Sequence, residues 1–373
     1  MTDTAAASRE PEASSTVGGA AAGGTVPAAA LLAFTQDALM ACGLPLADAA
    51  VVAQAMVEAD LTGVDTHGVA RLPQYGPWLQ GGQINPRANV QVAERGPATA
   101  VVDGDNGMGH LVMTFAARTA AELARASGVA WVGTRRSNHA GAGGVYAAMM
   151  LEHDMIGIYG AASSANHMAV WGGAEPMLGT NPLAFAIPAG EEAPVVLDTA
   201  TSVSSFGVIR KHQMENNPIP EGWVISRDDG TPITDPNRAS EGTLLPIGGH
   251  KGSGLALIIG LLAGPLNRAA FGRDVQDFGG DRSRETNTGQ FIIALDVSRF
   301  LPLAAFKAEI DRHVRDLRDS KRLPGVDAIR IPGAERQRKR IERSRDGVAL
   351  SVSLLKQLDD VASRLAVTPL RGR

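Results

Sequence analysis

The chain of 373 residues has one cysteine, Cys42, so no disulfide can form within it and nothing points to an oxidising compartment. Cys42 sits in the apolar run Ala38-Leu39-Met40-Ala41-Cys42 rather than in an electropositive niche, and reads as a packing residue. No apolar stretch reaches the length of a membrane span. The N-terminus also lacks the basic start and long apolar block of a signal peptide, so a cytoplasmic protein is expected. Excess positive charge is missing, the formal net charge being −4; without a basic face, neither nucleic acid nor an anionic membrane is an expected partner. The eight histidines are scattered, with no pair at metal-ligand spacing and no H-E-x-x-H, so no metal site is expected. No G-x-G-x-x-G follows a strand, and Walker, G-x-S-x-G and C-x-x-C motifs are missing too.

Aromatic residues make up only 4% of the chain, whereas glycine (43 residues) and alanine are plentiful. That composition predicts an aliphatic core with many tight turns and close backbone approaches. Residues 1–26, rich in Ala, Gly and Ser, read as a disordered tail. Helical spacing of apolar residues follows between Pro27 and Gly43 and between Asp48 and Gly63. After Pro86 the pattern becomes mixed. Strands are expected at Val90 to Ala93, Ala98 to Val102, Val129 to Gly133, Met155 to Tyr159, Pro194 to Leu197 and Gln290 to Leu295. Helices are expected at Leu111 to Ser127 and, after the Gly-rich loop Gly248 to Gly254, at Leu255 to Ala263. From Leu303 the pattern is helical again. The dense charged run Gly333 to Arg345 reads as a solvated helix with opposite charges three or four apart. The expected fold is therefore α/β, with residues 27–86 and 303–373 forming a helical domain and residues 87–302 a mixed α/β domain.

Four segments could carry chemistry. His67, Arg71 and Tyr75 are spaced by four, which would stack them on one helical face, although Pro73 argues against a helix running through. A guanidinium there can clamp a carboxylate while imidazole and phenol act on a neighbouring oxygen. The spacing equally suits a surface His and Arg satisfied by local carboxylates such as Asp65. His139 lies in Arg136-Ser137-Asn138-His139-Ala140-Gly141-Ala142-Gly143-Gly144, a glycine-rich loop at the end of a buried strand. Two further glycine-rich segments, Trp171 to Pro182 and Gly248 to Gly254, can act as ordinary turns or cradle phosphates; the second offers Lys251 beside a helix N-terminus.

Taken in order, Thr66-His67-Gly68 with Arg71 and Tyr75, Ser137-Asn138-His139, Trp171-Gly172-Gly173-Ala174-Glu175, Leu178-Gly179-Thr180-Asn181-Pro182, Leu197-Asp198 with Ala200-Thr201-Ser202, Ile219-Pro220-Glu221-Gly222-Trp223 and Gly249-His250-Lys251-Gly252 closely resemble the malate/L-lactate dehydrogenase family. That family includes ureidoglycolate and sulfolactate dehydrogenases and Δ1-piperideine-2-carboxylate reductases. The resemblance spans Ala28 to Leu365. It implies NAD or NADP bound on a mixed α/β fold unlike the Rossmann fold, a small carboxylate substrate, and a homodimer. It also implies His139 as general acid/base and Arg71 as carboxylate clamp, with His67 and Tyr75 in the same pocket. Ser164, Asp198, Thr199, Ala200 and Lys251 would meet the cofactor, with Thr180 and Asn181 nearby. The implied reaction is hydride transfer between NAD(P) and C2 of a 2-hydroxy or 2-oxo acid. Reduction of a cyclic imino acid is the alternative, and a hydrolase, a lyase or a silent binding protein would be the readings from other classes. Several positions depart from the family pattern. Ala140 stands for a bulky aromatic, leaving room for a larger substrate; Ser253 replaces a usual Tyr, Val208 a frequent Lys, and Ser163 to Val170 departs from the usual Thr-Asn and Ala-Pro pattern.

Overall fold

The computed structural model describes residues 22–277 and 284–373. Strand β1 (Ala22–Val26) leads through Pro27 into α1 (Ala28–Ala41), and Pro45 opens α2 (Leu46–Leu61); proline suits these entries, where its missing N–H and fixed φ are tolerated. Of the tail expected over residues 1–26, residues 1–21 lie outside the described residues, and the last five form β1. That strand pairs antiparallel with a strand near the other end of the chain, Val348–Ser351, so long-range pairing overrides a glycine-rich local sequence. Next come two 3-10 turns, Asp65–His67 and Val69–Arg71, and then α3 (Leu72–Gln80).

Seven strands form the central sheet. β2 (Gln91–Arg95) and β3 (Thr99–Asp103) lie at one edge, and α4 (Gly109–Ser127) carries the chain to β4 (Val129–Ser137), parallel to β3. Beyond α5 (Gly143–Met149) come β5 (Met155–Ala161), β6 (Leu183–Ile187) and β7 (Val195–Thr199). α6 (Phe206–Met214), the short strands β8 (Val224–Ser226) and β9 (Gly242–Leu244), and α7 (His250–Ala263) follow. β10 (Thr288–Asp296) then inserts between β4 and β5, giving the order β2-β3-β4-β10-β5-β6-β7. The sheet is mixed, only β3–β4 being parallel. The chain ends in α8 (Leu303–Arg318), α9 (Ala334–Asp346), β11 (Val348–Ser351) and α10 (Val352–Leu365).

Two large apolar clusters organise this. One joins Leu31, Phe34 and Leu39 of α1, Val52 and Met56 of α2, Tyr75 and Trp78 of α3, and Leu355, Leu358 and Val361 of α10. The other packs Ala116, Ala117, Ala120 and Ala124 of α4 on Ala130 and Val132 of β4 and Ile292 and Ala294 of β10. Alanine on both faces lets helix and sheet approach closely, which is where the alanine excess is used. α8 ties to the sheet part: buried Asp311 accepts N–H bonds from Gly190, Glu191 and Glu192 at 2.9, 2.8 and 3.1 Å.

Ala120 is fully buried in the alanine interface, so Ala120→Leu should overpack it and destabilise the fold by about 1–3 kcal/mol. A lower thermal midpoint with retained secondary structure is the expected calorimetric result.

Candidate active site

The turn carrying His67 is held from beneath by a carboxylate. Asp60, buried near the end of α2, accepts the Val69 N–H at 2.9 Å. A Cβ at position 68 would lie 2.0 Å from that carboxylate, so Gly68 lets the chain pass. Burial pushes the Asp60 carboxyl well above its usual range. Arg343 of α9 donates to the Asp60 carbonyl and to the Asp65 carboxylate. Asp65 is thus an Arg343 partner rather than a partner of His67 or Arg71.

The α-helical stacking that the four-residue spacing allows does not occur. Gly68, with φ −91° and ψ −142°, breaks the segment into two 3-10 turns, and Pro73 falls in the first turn of α3. His67 and Tyr75 nevertheless meet at His139, and the Arg71 charge is felt there. The His67 ring stacks on His139 with centroids 5.6 Å apart and planes 21° apart. The Tyr75 hydroxyl lies 2.6 Å from His139 Nδ1. Arg71 donates from Nε to the Thr66 carbonyl at 2.8 Å and from Nη1 to Gln74 at 2.9 Å. Among the described residues it makes no ion pair with a carboxylate.

His139 stands at the end of β4 on a rigid mount. Asn138 donates from Nδ2 to Asn106 Oδ1 at 2.9 Å and to the Gly107 carbonyl at 2.9 Å, and its own carbonyl accepts from Gln290 at 2.9 Å. The Gly141 N–H donates to His139 Nδ1 at 3.3 Å. An amide can only donate, so Nδ1 is an acceptor. The phenol O–H shares it, and the neutral ring carries its proton on Nε2. Burial, then Arg71, His67 and His110, hold the His139 imidazole well below its usual pKa. His67 is lowered to about 4, by burial first and Arg71 next, with Asp198 opposing. Burial raises the Tyr75 phenol, which stays protonated.

Ala140 does not open the pocket. It is 4% exposed and packs in the cluster beneath the sheet, its carbonyl accepting from the Tyr146 hydroxyl.

The residues assigned to the cofactor by resemblance divide in two. Asp198, at the end of β7, receives Arg336 Nη1 at 3.0 Å, and Nη2 donates to its carbonyl at 3.0 Å. A Cβ on Gly144 would be 3.0 Å from the Asp198 carboxylate, which sets β7 against the start of α5. The Thr199 hydroxyl turns to the Ala200 carbonyl at 3.0 Å. Ser164 joins a hydroxyl chain to the His139 mount: its Oγ is 2.9 Å from Thr288 Oγ1, which lies 3.2 Å from Thr286 Oγ1, which donates to Asn138 Oδ1 at 2.9 Å. Asn181, by contrast, is committed to the scaffold. It accepts from the Ser163 N–H at 3.0 Å and donates to the Ala256 carbonyl at 2.8 Å, while Thr180 contacts Ser163 Oγ at 3.3 Å. Lys251 is exposed in the first turn of α7.

The departure at 253 has a local role as well. Buried Ser253 accepts the Trp171 N–H at 2.9 Å. The Val208 N–H donates to the capping hydroxyl of Ser205 at 3.3 Å, a backbone bond that leaves the valine side chain itself unexplained.

A cavity of about 730 Å³ runs between α2, α5, α9 and β7, lined by Gln54, Gly144, Val145, Val196, Arg336 and Arg340 among others. Sequence reasoning missed Arg336. The run 334–346 is a helix with Arg338 paired to Glu335 and Glu342, as expected. Arg336, Arg340 and Arg343, however, reach across to Asp198, Glu58 and Asp65. Their spacing of four and three was the available signal: a cationic stripe that the helix's own acids leave unpaired.

Three imidazoles are therefore kept neutral by burial. An unfolded histidine binds a proton below about pH 6.5, which these resist until far lower. The unfolded state then carries more protons, and stability is lost as pH falls from about 6.5 towards 4. Thermal midpoints measured from pH 7.5 to 4.5 should drop, with a shallower drop in His110→Gln, because His110 is held to about 3.

Comparison with known proteins follows this geometry. Residues 26–359 match the family model of malate/L-lactate dehydrogenase. The chain is 34% identical to a malate dehydrogenase of Pyrococcus horikoshii over 352 residues, covering 92% of this chain and 96% of that protein. It is 37% identical to an L-sulfolactate dehydrogenase of Methanocaldococcus jannaschii over 331 residues, covering 89% and 94%. The solved structure of a sulfolactate dehydrogenase from the same organism superposes with a TM-score of 0.86 at 34% identity, covering 94% of this chain and 99% of that one. An α/β chain with a mixed seven-stranded sheet, matched along nearly its whole length, belongs to the malate/L-lactate dehydrogenase family and is an oxidoreductase of the dehydrogenase kind.

Proposed function

We propose that this dehydrogenase transfers a hydride between NAD or NADP and C2 of a small 2-hydroxy or 2-oxo carboxylic acid, with His139 moving the proton. The observation that carries this reading is the neutral His139, bonded through Nδ1 to Tyr75 and stacked on His67, near a guanidinium that has no carboxylate partner among the described residues. Arg71 would take the substrate carboxylate through two parallel hydrogen bonds. Its positive charge is one cause holding His139 low; a bound carboxylate offsets that charge and makes the imidazolium more accessible. In oxidation, His139 accepts the hydroxyl proton of the substrate on Nε2, which requires the ring proton of the resting form to move to Nδ1 with the Tyr75 oxygen accepting it. In reduction, the protonated ring gives its proton to the oxygen formed at C2.

The site's residues fit a dinucleotide. Gly141, Gly143 and Gly144 keep side chains out of the loop after His139, a Cβ at 144 would crowd Asp198, and the adjoining cavity of about 730 Å³ falls within the range of small-molecule sites. Ser164, Asp198, Thr199, Ala200 and Lys251, all assigned by resemblance, would hold the cofactor, with Arg336 bound to Asp198 beside them. The nicotinamide, when bound, supplies or accepts the hydride. The relatives' names favour the hydroxy-acid reading over cyclic-imine reduction.

The same reading includes pairing with a second copy. Leu255, Ile258 and Leu261 form a stripe along α7 at 49%, 55% and 40% exposure, an apolar face of the kind that marks protein contacts. Light scattering should give twice the chain mass, and Ile258→Glu should yield the monomer. A monomeric parent would refute the pairing.

His139→Ala should lower kcat by about 10²–10⁴-fold while NADH fluorescence titration stays unchanged. Arg71→Ala should chiefly raise KM for pyruvate or oxaloacetate. Assays of NADH and NADPH oxidation with pyruvate, oxaloacetate and a cyclic imino acid separate the two chemistries, and a near-normal kcat in His139→Ala would falsify the proton assignment.

A further inference from the structure

The first turn of α4 meets the catalytic loop, and its second residue is His110. A Cβ on Gly109 would lie 2.1 Å from the Asn138 carbonyl and 2.6 Å from that of His139, so the helix end abuts the backbone of the site. His110 is 1% exposed, and neither ring nitrogen has a hydrogen-bond partner among the described residues. Its ring meets Tyr75 edge to face, with centroids 5.5 Å apart and planes 76° apart. Its Nε2 lies 2.7 Å from the place of a Cβ on Gly141, whose φ is +70°. His110 therefore bears on both groups that hydrogen-bond to Nδ1 of His139, the Tyr75 hydroxyl and the Gly141 N–H.

A leucine would fill this position without burying polar atoms. A neutral imidazole brings one N–H and one lone pair, and shielding both from partners is costly. Native proteins rarely keep such a group without a use for it. Four ionisable groups face this ring or the pair it supports: His67 and Arg71 from the 65–71 turns, Tyr75 from α3, and His139 from the loop after β4. Tyr146 of α5 is the further ionisable group that feels Tyr75.

We infer that His110 is a positioning residue for proton transfer: wedged against Tyr75 and Gly141, it keeps the phenol hydroxyl at Nδ1 of His139 and so holds the imidazole in one orientation towards the substrate. This rests on the reading of His139 as the proton carrier. His110 touches the partners of the reacting imidazole rather than the substrate, so its effect falls on the chemical step and its pH dependence. Substrate affinity is governed by Arg71 and stays outside its reach.

The test is steady-state kinetics across pH with NADH and the best 2-oxo acid for His110→Leu and His110→Gln. His110→Leu should lower kcat by about ten- to a hundredfold, the size of a slight misplacement of reacting groups, with KM and NADH affinity changed less than about twofold. The limb of kcat/KM that disappears in His139→Ala should move to higher pH, because the Tyr75 O–H bond to Nδ1, which favours the unprotonated ring, is loosened. His110→Gln keeps a donor and an acceptor and should recover part of kcat. If His110→Leu does not fold, His110→Met, unbranched and able to fill the same gap, carries the measurement. A leucine or methionine variant with parental kcat and an unmoved profile overturns the inference and leaves His110 a packing residue. Activity surviving in His139→Ala would instead overturn the underlying proton assignment.

Discussion

The hydrogen bond from the Tyr75 hydroxyl to Nδ1 of His139, 2.6 Å long, joins the two halves of this molecule at the point of chemistry. Tyr75 belongs to the apolar cluster of α1, α2, α3 and α10. His139 belongs to the sheet, at the end of β4, on a mount held by Asn106, Gly107 and Gln290. Neither half alone would define the tautomer of the imidazole. Their docking does, at a half-buried bond where misplaced polar groups are costly.

Charge in the pocket follows the same division. Arg71 and the three imidazoles repel one another's protonated forms, and burial acts in the same direction. The acids that could have neutralised the site are engaged elsewhere. Asp60 supports the 65–71 turns, and Asp65 and Asp198 face Arg343 and Arg336 of α9. The pocket is thus biased towards an anion that brings its own charge, which suits a carboxylate substrate.

Much of this could be read from sequence where a local pattern decides the outcome. α1, α2, α4, α10 and six sheet strands follow from apolar period and from glycine or proline at the ends, and Gly128 closes α4 in a left-handed conformation at φ +85°, whereas α7 starts at His250, inside the glycine-rich segment read as a loop. His139, Arg71, His67 and Tyr75 stood out from residue type and from their order along the chain. Local pattern failed where distant segments decide. β1 and β11 exist because they pair with each other, and no periodicity in either announces it. α5 lies in a glycine-rich stretch whose small residues are required by Tyr159 and Asp198 rather than by helix propensity. Arg336 was hidden in a charged run because its partner lies 138 positions away, and His110 because shielding has no signature in one dimension.

The antiparallel pair β1–β11 also sets the timing of synthesis. Val26 opposite Val348 means that the first described strand waits, during translation, for nearly the whole chain to leave the ribosome. α10, which seals the apolar pocket around Tyr75, emerges later still. Until then the helical half offers the cell an open greasy face, so nascent chains of this enzyme should depend on chaperones far more than its α4–sheet half would suggest.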